Sequence, residues 1–126
     1  MENPSLLITD DDEALRQTLR EVFEPEGFRT LLAGDGEEAL RIVHRERIHL
    51  VLLDMYMPKL TGLETVRRVK QFRALLPCIL MSGDLDDAVV EQAYRERVHA
   101  VLPKPVTRRE VTSIVRQALQ AVYGWH

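Results

Sequence analysis

The sequence predicts an α/β fold in which five mostly parallel strands form one sheet with helices on both of its faces. Short apolar strands alternate with helical patterns five times along the 126 residues, which is typical of βαβ units. Two of the strands are continuous apolar runs without polar alternation, as central parallel strands buried on both faces are. Because no internal repeat or linker interrupts this pattern, we expect residues 1–126 to form a single domain.

The first strand and the first helix flank an acidic turn. The apolar segment Ser5–Thr9 is the predicted strand, and it runs directly into four consecutive acidic residues at 10–13. Apolar residues then recur at helical spacing: Leu15, Leu19, Val22 and Phe23. Pro25 and Gly27 are expected to end this helix, since proline cannot continue a helix and glycine adopts the conformations that close one.

The second strand and helix lead to the most apolar run of the chain. The segment Phe28–Leu32 mixes polar with apolar residues, so we place it at an edge of the sheet. A helix then starts at about Glu37 and leads to Leu50–Leu53, which ends in Asp54. A carboxylate directly after a buried strand is costly to bury unless cations or solvent surround it. We therefore expect Asp54 to lie in a cleft at the sheet edge where ligands of such folds bind.

The second half of the chain repeats the alternation. After the turn at Pro58–Gly62, a third helix carries Leu63, Val66, Val69 and Phe72. The apolar strand Pro77–Met81 is followed by small polar residues and by a fourth helix predicted over 85–97, whose expected inner residues are Val89, Val90, Ala93 and Tyr94. The strand Ala100–Leu102 precedes Lys104, which stands between two prolines. The last helix shows a clear three-and-four repeat: Val111, Ile114, Val115, Ala118, Leu119 and Val122.

Composition narrows the class of protein. The formal net charge is only -3, so there is no strong basic field and we expect no direct binding of nucleic acid. The single cysteine, Cys78, excludes an intramolecular disulfide and suits a reducing compartment. The amino end has neither a basic nor an apolar leader pattern, and no apolar run approaches the length needed to span a membrane. We therefore expect a cytoplasmic protein without a membrane partner.

Charged and polar side chains follow four of the five predicted strands. Asp10 and Asp11 follow the first strand, Asp54 the third, Ser82 the fourth and Lys104 the fifth. The carboxyl ends of parallel strands meet at one edge of a sheet, so these side chains are expected to converge. Three carboxylates brought together repel one another unless cations are shared among them. One lysine and one divalent cation would balance their three negative charges.

The expected cation is Mg²⁺, because it is a hard ion that prefers oxygen ligands and commonly shares its shell with a phosphate oxygen. The chain has no Gly-rich nucleotide loop of the Gly-x-x-x-x-Gly-Lys-Ser/Thr kind. A carboxylate can instead serve as a nucleophile and form an aspartyl phosphate, with a metal and a lysine neutralising the transferred oxygens. Ser82 has a hydroxyl that could donate to a phosphoryl oxygen.

These residues resemble those of response-regulator receiver domains of two-component signalling. The resemblance covers essentially the whole chain and is carried by four segments in the family's order: Leu7–Asp12, Asp54–Pro58 with Gly62 downstream, Met81–Gly83 and Lys104-Pro105. It implies a flavodoxin-like, doubly wound sheet of order 2-1-3-4-5. It also implies a chain that catalyses its own phosphorylation and dephosphorylation rather than acting as a conventional enzyme.

The resemblance implies a role for each site residue. Asp54 would accept a phosphoryl group from the phosphohistidine of a sensor histidine kinase or phosphotransfer protein. Asp10, Asp11, Asp54 and the backbone carbonyl of Tyr56 would hold Mg²⁺. Ser82 would be the switch hydroxyl, with Lys104 as the lysine of the family. Phosphorylation would then alter a face built from the fourth helix, the fifth strand and the last helix, and this face would meet a downstream effector.

Two positions depart from the family's pattern. Many receivers have an aromatic residue where this chain has Val101, so the aromatic half of the switch is expected to be missing. The common Asp-Gly after the Met-Pro turn is Thr61-Gly62 here. Tyr56 and Asp84 stand where side chains flank the phosphoryl group, and they are the candidate modulators of its lifetime.

Several alternatives remain open from the sequence. A haloacid-dehalogenase-like phosphatase would use Asp10 as the nucleophile, but its Asp-x-Asp-x-Thr/Val motif fails at Ala14 and the chain has no room for a cap domain. A degenerate receiver could act only as a docking module, which the intact acidic cluster argues against. The chain is expected to be a stand-alone regulator or the amino-terminal part of a longer one, with a homodimer through the last helix as a further option.

Overall fold

The protein contains one parallel five-stranded sheet, as shown by a computed structural model that describes residues 3 to 125. Met1, Glu2 and His126 therefore lie outside the described part. The strands are β1 (Ser5–Thr9), β2 (Arg29–Ala33), β3 (Leu50–Asp54), β4 (Cys78–Ser82) and β5 (Ala100–Pro103). Their order across the sheet is β2-β1-β3-β4-β5, and every neighbouring pair is parallel. The predicted doubly wound order is confirmed.

Five α-helices connect and follow the strands. They are α1 (Glu13–Phe23), α2 (Gly36–Arg45), α3 (Gly62–Phe72), α4 (Asp87–Arg95) and α5 (Arg108–Tyr123), and a short 3₁₀ turn at Glu24–Glu26 follows α1. Gly27 ends this turn in the left-handed region, at φ 94°, where the absence of a side chain removes the steric penalty. The expected stop at Pro25 and Gly27 is thus confirmed one turn after the end of α1.

The helices lie on both faces of the sheet, as predicted. One buried cluster joins α2, α3 and α4 to the face that contains Leu7, Val51 and Leu80. The other joins α1 and α5 to the face that contains Ile8 and Leu52. Every residue of β1, β3 and β4 is buried, whereas β2 is only partly buried at its edge position. The mixed composition of the second strand therefore predicted its place correctly.

Side-chain caps set several helix starts. The carboxylate of Asp12 accepts hydrogen bonds from the N–H groups of Ala14 and Leu15. Capping boxes at Thr61 and Thr107 open α3 and α5, each with a glutamate three residues later. Such caps satisfy N–H groups that have no partner within the helix. They therefore determine the residue at which each loop ends and the following helix begins.

The prediction for the fourth helix was wrong at both ends. The helix begins at Asp87 rather than Leu85, because the carboxylate of Asp86 caps it by accepting from the N–H of Val89. It ends at Arg95, followed by Arg97 in the left-handed region at φ 64°.

Tyr94, which was expected to pack inward, is instead half exposed, and so are Phe72 and Val122 at the ends of the apolar repeats of their helices. Each lies in the last turn of its helix, close to the end of the sheet that would cover it. Phe72 packs against the ring of His44, with ring centroids 3.8 Å apart. Among residues 3 to 125, no helix is both long and apolar enough to cross a membrane.

One buried polar atom in the sheet has no partner. The Thr9 side chain is fully buried, and its hydroxyl makes no hydrogen bond within the described residues. An unsatisfied buried hydroxyl costs free energy, whereas an apolar group of the same shape does not.

We predict that Thr9→Val raises the free energy of unfolding by about 1 to 3 kcal/mol, because it removes the desolvated hydroxyl and keeps the side-chain shape. Urea denaturation measures this directly. Thr65→Val is the matched control: Thr65 is equally buried, but its hydroxyl donates to the Thr61 carbonyl at 2.8 Å, so this variant should gain nothing. An unchanged or lower stability for Thr9→Val would contradict the prediction.

Candidate functional site

The sequence-predicted residues converge at the carboxyl edge of the sheet. Asp10 directly follows β1, and Asp54 is the last residue of β3. Asp10 is fully buried and Asp54 is 8% exposed, whereas Asp11 is exposed. Because β1 and β3 are neighbours, the two buried carboxylates lie side by side, with Asp11 on the solvent side. We call this part of the carboxyl edge, formed by Asp10, Asp11, Asp54 and the neighbouring strand ends, the rim.

Lys104 joins the two buried carboxylates. Its Nζ lies 2.8 Å from Oδ2 of Asp10 and 2.9 Å from Oδ1 of Asp54. The residue directly follows β5, and its backbone N–H donates to the Ser82 carbonyl at 2.8 Å. The backbone of Lys104 is thus anchored to β4, while its ammonium reaches across to the ends of β1 and β3. These contacts hold the positive charge of Lys104 in one position between the two carboxylates.

Burial and ion pairing have opposite effects on the pKa values of Lys104 and Asp54. Burial alone would lower the pKa of Lys104, but its hydrogen bonds to Asp10 and Asp54 raise the pKa above the ordinary lysine value. Burial raises the pKa of Asp54, and the charges of Asp10 and Asp11 add to this effect although Lys104 opposes it. The rim therefore holds more negative charge than one lysine compensates.

This excess of negative charge fits a cation. One carboxylate oxygen from each of Asp10, Asp11 and Asp54 can be chosen so that all three lie within 4.8 Å of one another. A donor set made only of carboxylate oxygens suits a hard cation such as Mg²⁺ or Ca²⁺ better than a thiophilic one. The acidic cluster predicted from the sequence is confirmed as a geometric group.

Ser82 lies beside this cluster in a closed turn. It is the last residue of β4 and is buried. Its hydroxyl accepts from the N–H of Asp84 at 3.1 Å and donates to the Asp84 carbonyl at 3.3 Å. The hydroxyl is therefore bound to its own loop.

The remaining predicted positions surround the rim at different depths. Tyr56, two residues after Asp54, is 52% exposed, and Asp84 is exposed in the turn after β4. Val101 is a partly buried residue of β5 that packs against the core on the side of α2 to α4. An aliphatic side chain thus occupies the position where the sequence departs from the family's pattern.

Two residues support the site in ways that were not predicted from the sequence. Arg16 in α1 donates to the backbone carbonyl of Asp10 at 2.6 Å. Gly62, the first residue of α3, lies against the strand end: a Cβ there would be 2.5 Å from the Asp54 carbonyl and 2.8 Å from Cδ2 of Leu80. Gly62 also donates its N–H to the Met55 carbonyl at 2.7 Å. Gly62 was noted only as part of the family's turn, and arginine in a first helix carries no particular signal.

Comparison with known proteins identifies the class to which this fold and site belong. Residues 6–116 match the family described as the response regulator receiver domain. A receiver domain protein from Clostridium thermocellum superimposes with a TM-score of 0.88 at 28% sequence identity, over 94% of this chain and 95% of that one. The chain belongs to the response regulator receiver family, and it is a phosphoacceptor signalling domain of two-component systems.

Individual relatives differ in length. Sporulation initiation phosphotransferase F of Bacillus subtilis is 36% identical over 121 residues, which are 94% of this chain and 96% of that protein. Response regulator MprA of Mycobacterium leprae is 35% identical over 117 residues, which are 91% of this chain but 50% of that protein. The chain thus spans nearly all of the first relative and about half of the second.

We predict that Gly62→Ala lowers the free energy of unfolding by about 1 to 3 kcal/mol, the usual cost of overpacking. Alanine favours a helix over glycine by only about 1 kcal/mol, so the clash with the backbone of Asp54 should dominate. Urea denaturation measures the change. Gly83→Ala is the control, because a Cβ there would approach nothing closer than Lys104 Cβ at 4.0 Å. Equal stability of the two variants would contradict the prediction, because it would show that the residues at the end of β3 shift to accommodate the methyl group.

We predict that Asp54→Asn stabilises the protein at neutral pH in a chelating buffer. The folded-state pKa of Asp54 is raised, so ionising it opposes folding once the pH rises through that value. Removing the charge should add stability on the order of 1 kcal/mol after allowance for solvent screening. Urea denaturation at several pH values tests this: the gain should shrink as the pH falls toward the ordinary carboxyl range, and a variant less stable than wild type at pH 7 would contradict it.

Proposed function

We propose that Asp54 is the phosphoacceptor and that it takes a phosphoryl group from a phosphohistidine. The main support is the contrast between the two buried carboxylates. Asp10 has both oxygens engaged, one by the N–H of Asp12 at 2.9 Å and the other by Lys104. Asp54 is bound through Oδ1 alone among the described residues, and it retains some exposure. Asp54 therefore offers a free carboxylate oxygen to an incoming phosphorus atom.

The proposed step is a displacement at phosphorus. An oxygen of ionised Asp54 forms the new P–O bond, the P–N bond to the donor histidine breaks, and its electron pair stays on the imidazole nitrogen, which then takes up a proton. Negative charge spreads over the transferred oxygens in such reactions. The Lys104 ammonium is placed to neutralise part of that charge, and Arg16 and Gly62 hold the backbone on either side.

Mg²⁺ is the proposed cofactor, and the donor set described above fits it. Asp10, Asp11 and Asp54 would hold the ion through carboxylate oxygens, with the backbone carbonyl of Tyr56 as a further ligand implied by the family. When bound, Mg²⁺ supplies positive charge that reduces repulsion between the carboxylates and the phosphoryl oxygens.

The switch is proposed to depend on Ser82. An aspartyl phosphate beside Ser82 would compete with Asp84 for its hydroxyl, and charge-assisted hydrogen bonds are stronger than neutral ones. Movement of Ser82 would then open the turn that precedes α4. The output is a population shift on the face of α4, β5 and α5. At Val101 an aliphatic side chain packs in place of an aromatic switch residue, and Tyr56 and Asp84 are proposed to tune the lifetime of the phosphoryl group.

The proposed donor is a sensor histidine kinase or a phosphotransfer protein. A shallow depression of about 340 Å³ lies next to the rim and is lined by Leu15, Pro105 and Val106 together with Asp12 and Lys104. Its apolar residues provide a contact surface within reach of Asp54 for the protein that carries the phosphohistidine. The effector could be a separate protein or a further domain, because relatives of both lengths exist. We propose that residues 1–126 form one receiver domain that acts in the cytoplasm, with dimerisation through α5 as one way to transmit the signal.

The phosphatase alternative is disfavoured by the position of Asp10. A nucleophile must be able to approach the phosphorus atom, yet Asp10 is fully buried and held at both oxygens. The docking-module alternative is disfavoured because Lys104 remains paired with both carboxylates, which a site without phosphoryl chemistry does not require.

We predict that acetyl phosphate and Mg²⁺ add one base-labile phosphoryl group to the protein and that Asp54→Asn abolishes the adduct. Intact-mass spectrometry measures it. Asp86→Asn is a matched control, because Asp86 is an exposed helix cap in the loop after β4 and should not affect labelling. Asp10→Asn should raise the Mg²⁺ concentration that labelling requires and lower the yield, because it weakens the proposed metal site.

Three outcomes would contradict this proposal. No adduct on the wild type would support the docking-module alternative. Turnover that survives in Asp54→Asn but is lost in Asp10→Asn would support the phosphatase alternative. An adduct that forms equally well in a chelating buffer would contradict the role of Mg²⁺.

A further inference from the structure

A partly apolar groove lies at the edge of the sheet opposite Asp54. It has a volume of about 470 Å³ and is formed by the segment between α3 and β4, the end of α4 and the end of α5. Three of its residues are large apolar side chains in contact with water: Leu75 is 83% exposed, Tyr94 50% and Val122 42%. Clustered exposed apolar side chains are typical of surfaces that bind other molecules.

The position of the groove separates it from the phosphorylation site. Pro77 and His99, which line it, directly precede β4 and β5. Asp54 and Ser82 are the last residues of β3 and β4. The five-residue strand β4 runs from one of these edges to the other. A molecule in the groove would therefore leave Asp54 open to its phosphodonor.

The polar residues of the groove are all basic or neutral. Lys70, Arg97 and His99 line it, and Arg73 lines an adjoining depression of about 410 Å³ that shares Leu75 and Val122. Within residues 3 to 125, no carboxylate lines either depression, and Lys70, Arg73 and Arg97 form no ion pair. Lys70 donates to the Leu76 carbonyl at 2.7 Å. This basic surface contrasts with the net charge of -3 of the chain.

The cations are close enough to affect one another. Burial lowers the pKa of Lys70, and the charge of Arg97 lowers it further. Burial and the charge of Lys70 lower the pKa of His99. Arg97 has a left-handed backbone at φ 64°, a conformation that is uncommon for residues other than glycine. An anionic partner would relieve the repulsion among these groups.

We propose that this groove binds an acidic amphipathic helix of a partner protein, with apolar side chains of the helix against Leu75, Tyr94 and Val122 and its carboxylates against Lys70, Arg73 and Arg97. An amphipathic helix presents apolar anchors on one side and charges along both flanks, which matches a groove with an apolar centre and a basic rim. The groove has room for a few side chains of this kind.

Charge distinguishes this occupant from a second copy of the chain, and shape distinguishes it from a lipid surface. In a two-fold dimer the same patch meets itself, so a second copy would bring the basic groups of both grooves together. An anionic lipid surface would match the charge, but a flat bilayer fits a concave groove between three chain segments less well than a helix does. A partner helix satisfies both the shape and the charge.

The test is a selection of random displayed peptides of about 15 residues, long enough for about four helical turns, against the full wild-type protein. Selected peptides should be acidic and should carry apolar residues at helical spacing. Leu75→Ser and Arg97→Glu should each weaken their binding by about tenfold or more. Phe72→Ser is the matched control, because Phe72 is 50% exposed but lines neither depression, and it should leave binding unchanged. Circular dichroism and phosphorylation by acetyl phosphate establish that each variant is folded.

Four results would overturn the proposal. Selection could yield no enriched peptide, or only basic or neutral ones. Binding of the enriched peptides could be insensitive to Leu75→Ser and Arg97→Glu. Sedimentation could reveal a dimer that Leu75→Ser dissociates, which would make a second copy the occupant. Vesicles of phosphatidylcholine and phosphatidylserine could bind the wild type and not Arg97→Glu, which would make a membrane the occupant.

Discussion

The arrangement of the site depends on the ion pairs of Lys104 with Asp10 and Asp54. Two carboxylates at the ends of adjacent buried strands would repel each other and would be poorly solvated. The ammonium between them reduces this cost and links the ends of β1, β3 and β5. One positive charge does not balance the three carboxylates of the cluster. This imbalance is the basis of the proposal that the rim binds Mg²⁺ and takes up a phosphoryl group.

The rest of the fold holds these charges in place. The buried strands β1, β3 and β4 fix the positions of Asp10, Asp54 and Ser82, and Gly62 lets α3 start directly against the end of β3. The turn at Ser82 is closed by its hydrogen bonds with Asp84, and α4 begins a few residues later. The proposed switch would therefore act through this turn on the face of α4 and β5. The groove at Leu75 lies at the other edge of the sheet, away from Asp54.

Much of this structure could be predicted from the sequence, for identifiable physical reasons. Continuous apolar runs predicted the central strands, and the mixed composition of the second strand predicted its edge position. The order of acidic residues, Ser82 and Lys104 after successive strands predicted their convergence, since parallel strands end at one edge. Local sequence patterns gave wrong predictions where tertiary packing determines which residues are buried and where a helix begins. Tyr94 and Val122 fit the helical repeat but are half exposed in the last turns of their helices, and the cap at Asp86 shortened α4. The contact of Arg16 with the Asp10 carbonyl and the unpaired hydroxyl of Thr9 depend on neighbours that are distant in sequence.

The most direct test of the central role of Lys104 is an NMR titration of its side chain in protein with isotope-labelled lysine. Pairing with Asp10 and Asp54 predicts a pKa above the ordinary lysine value, because deprotonation would leave two buried carboxylates without their cation. In Asp54→Asn the pKa should fall back toward that value. A pKa at or below the ordinary lysine value in the wild type would show that burial outweighs pairing. The ammonium could then not be the group that holds the rim together.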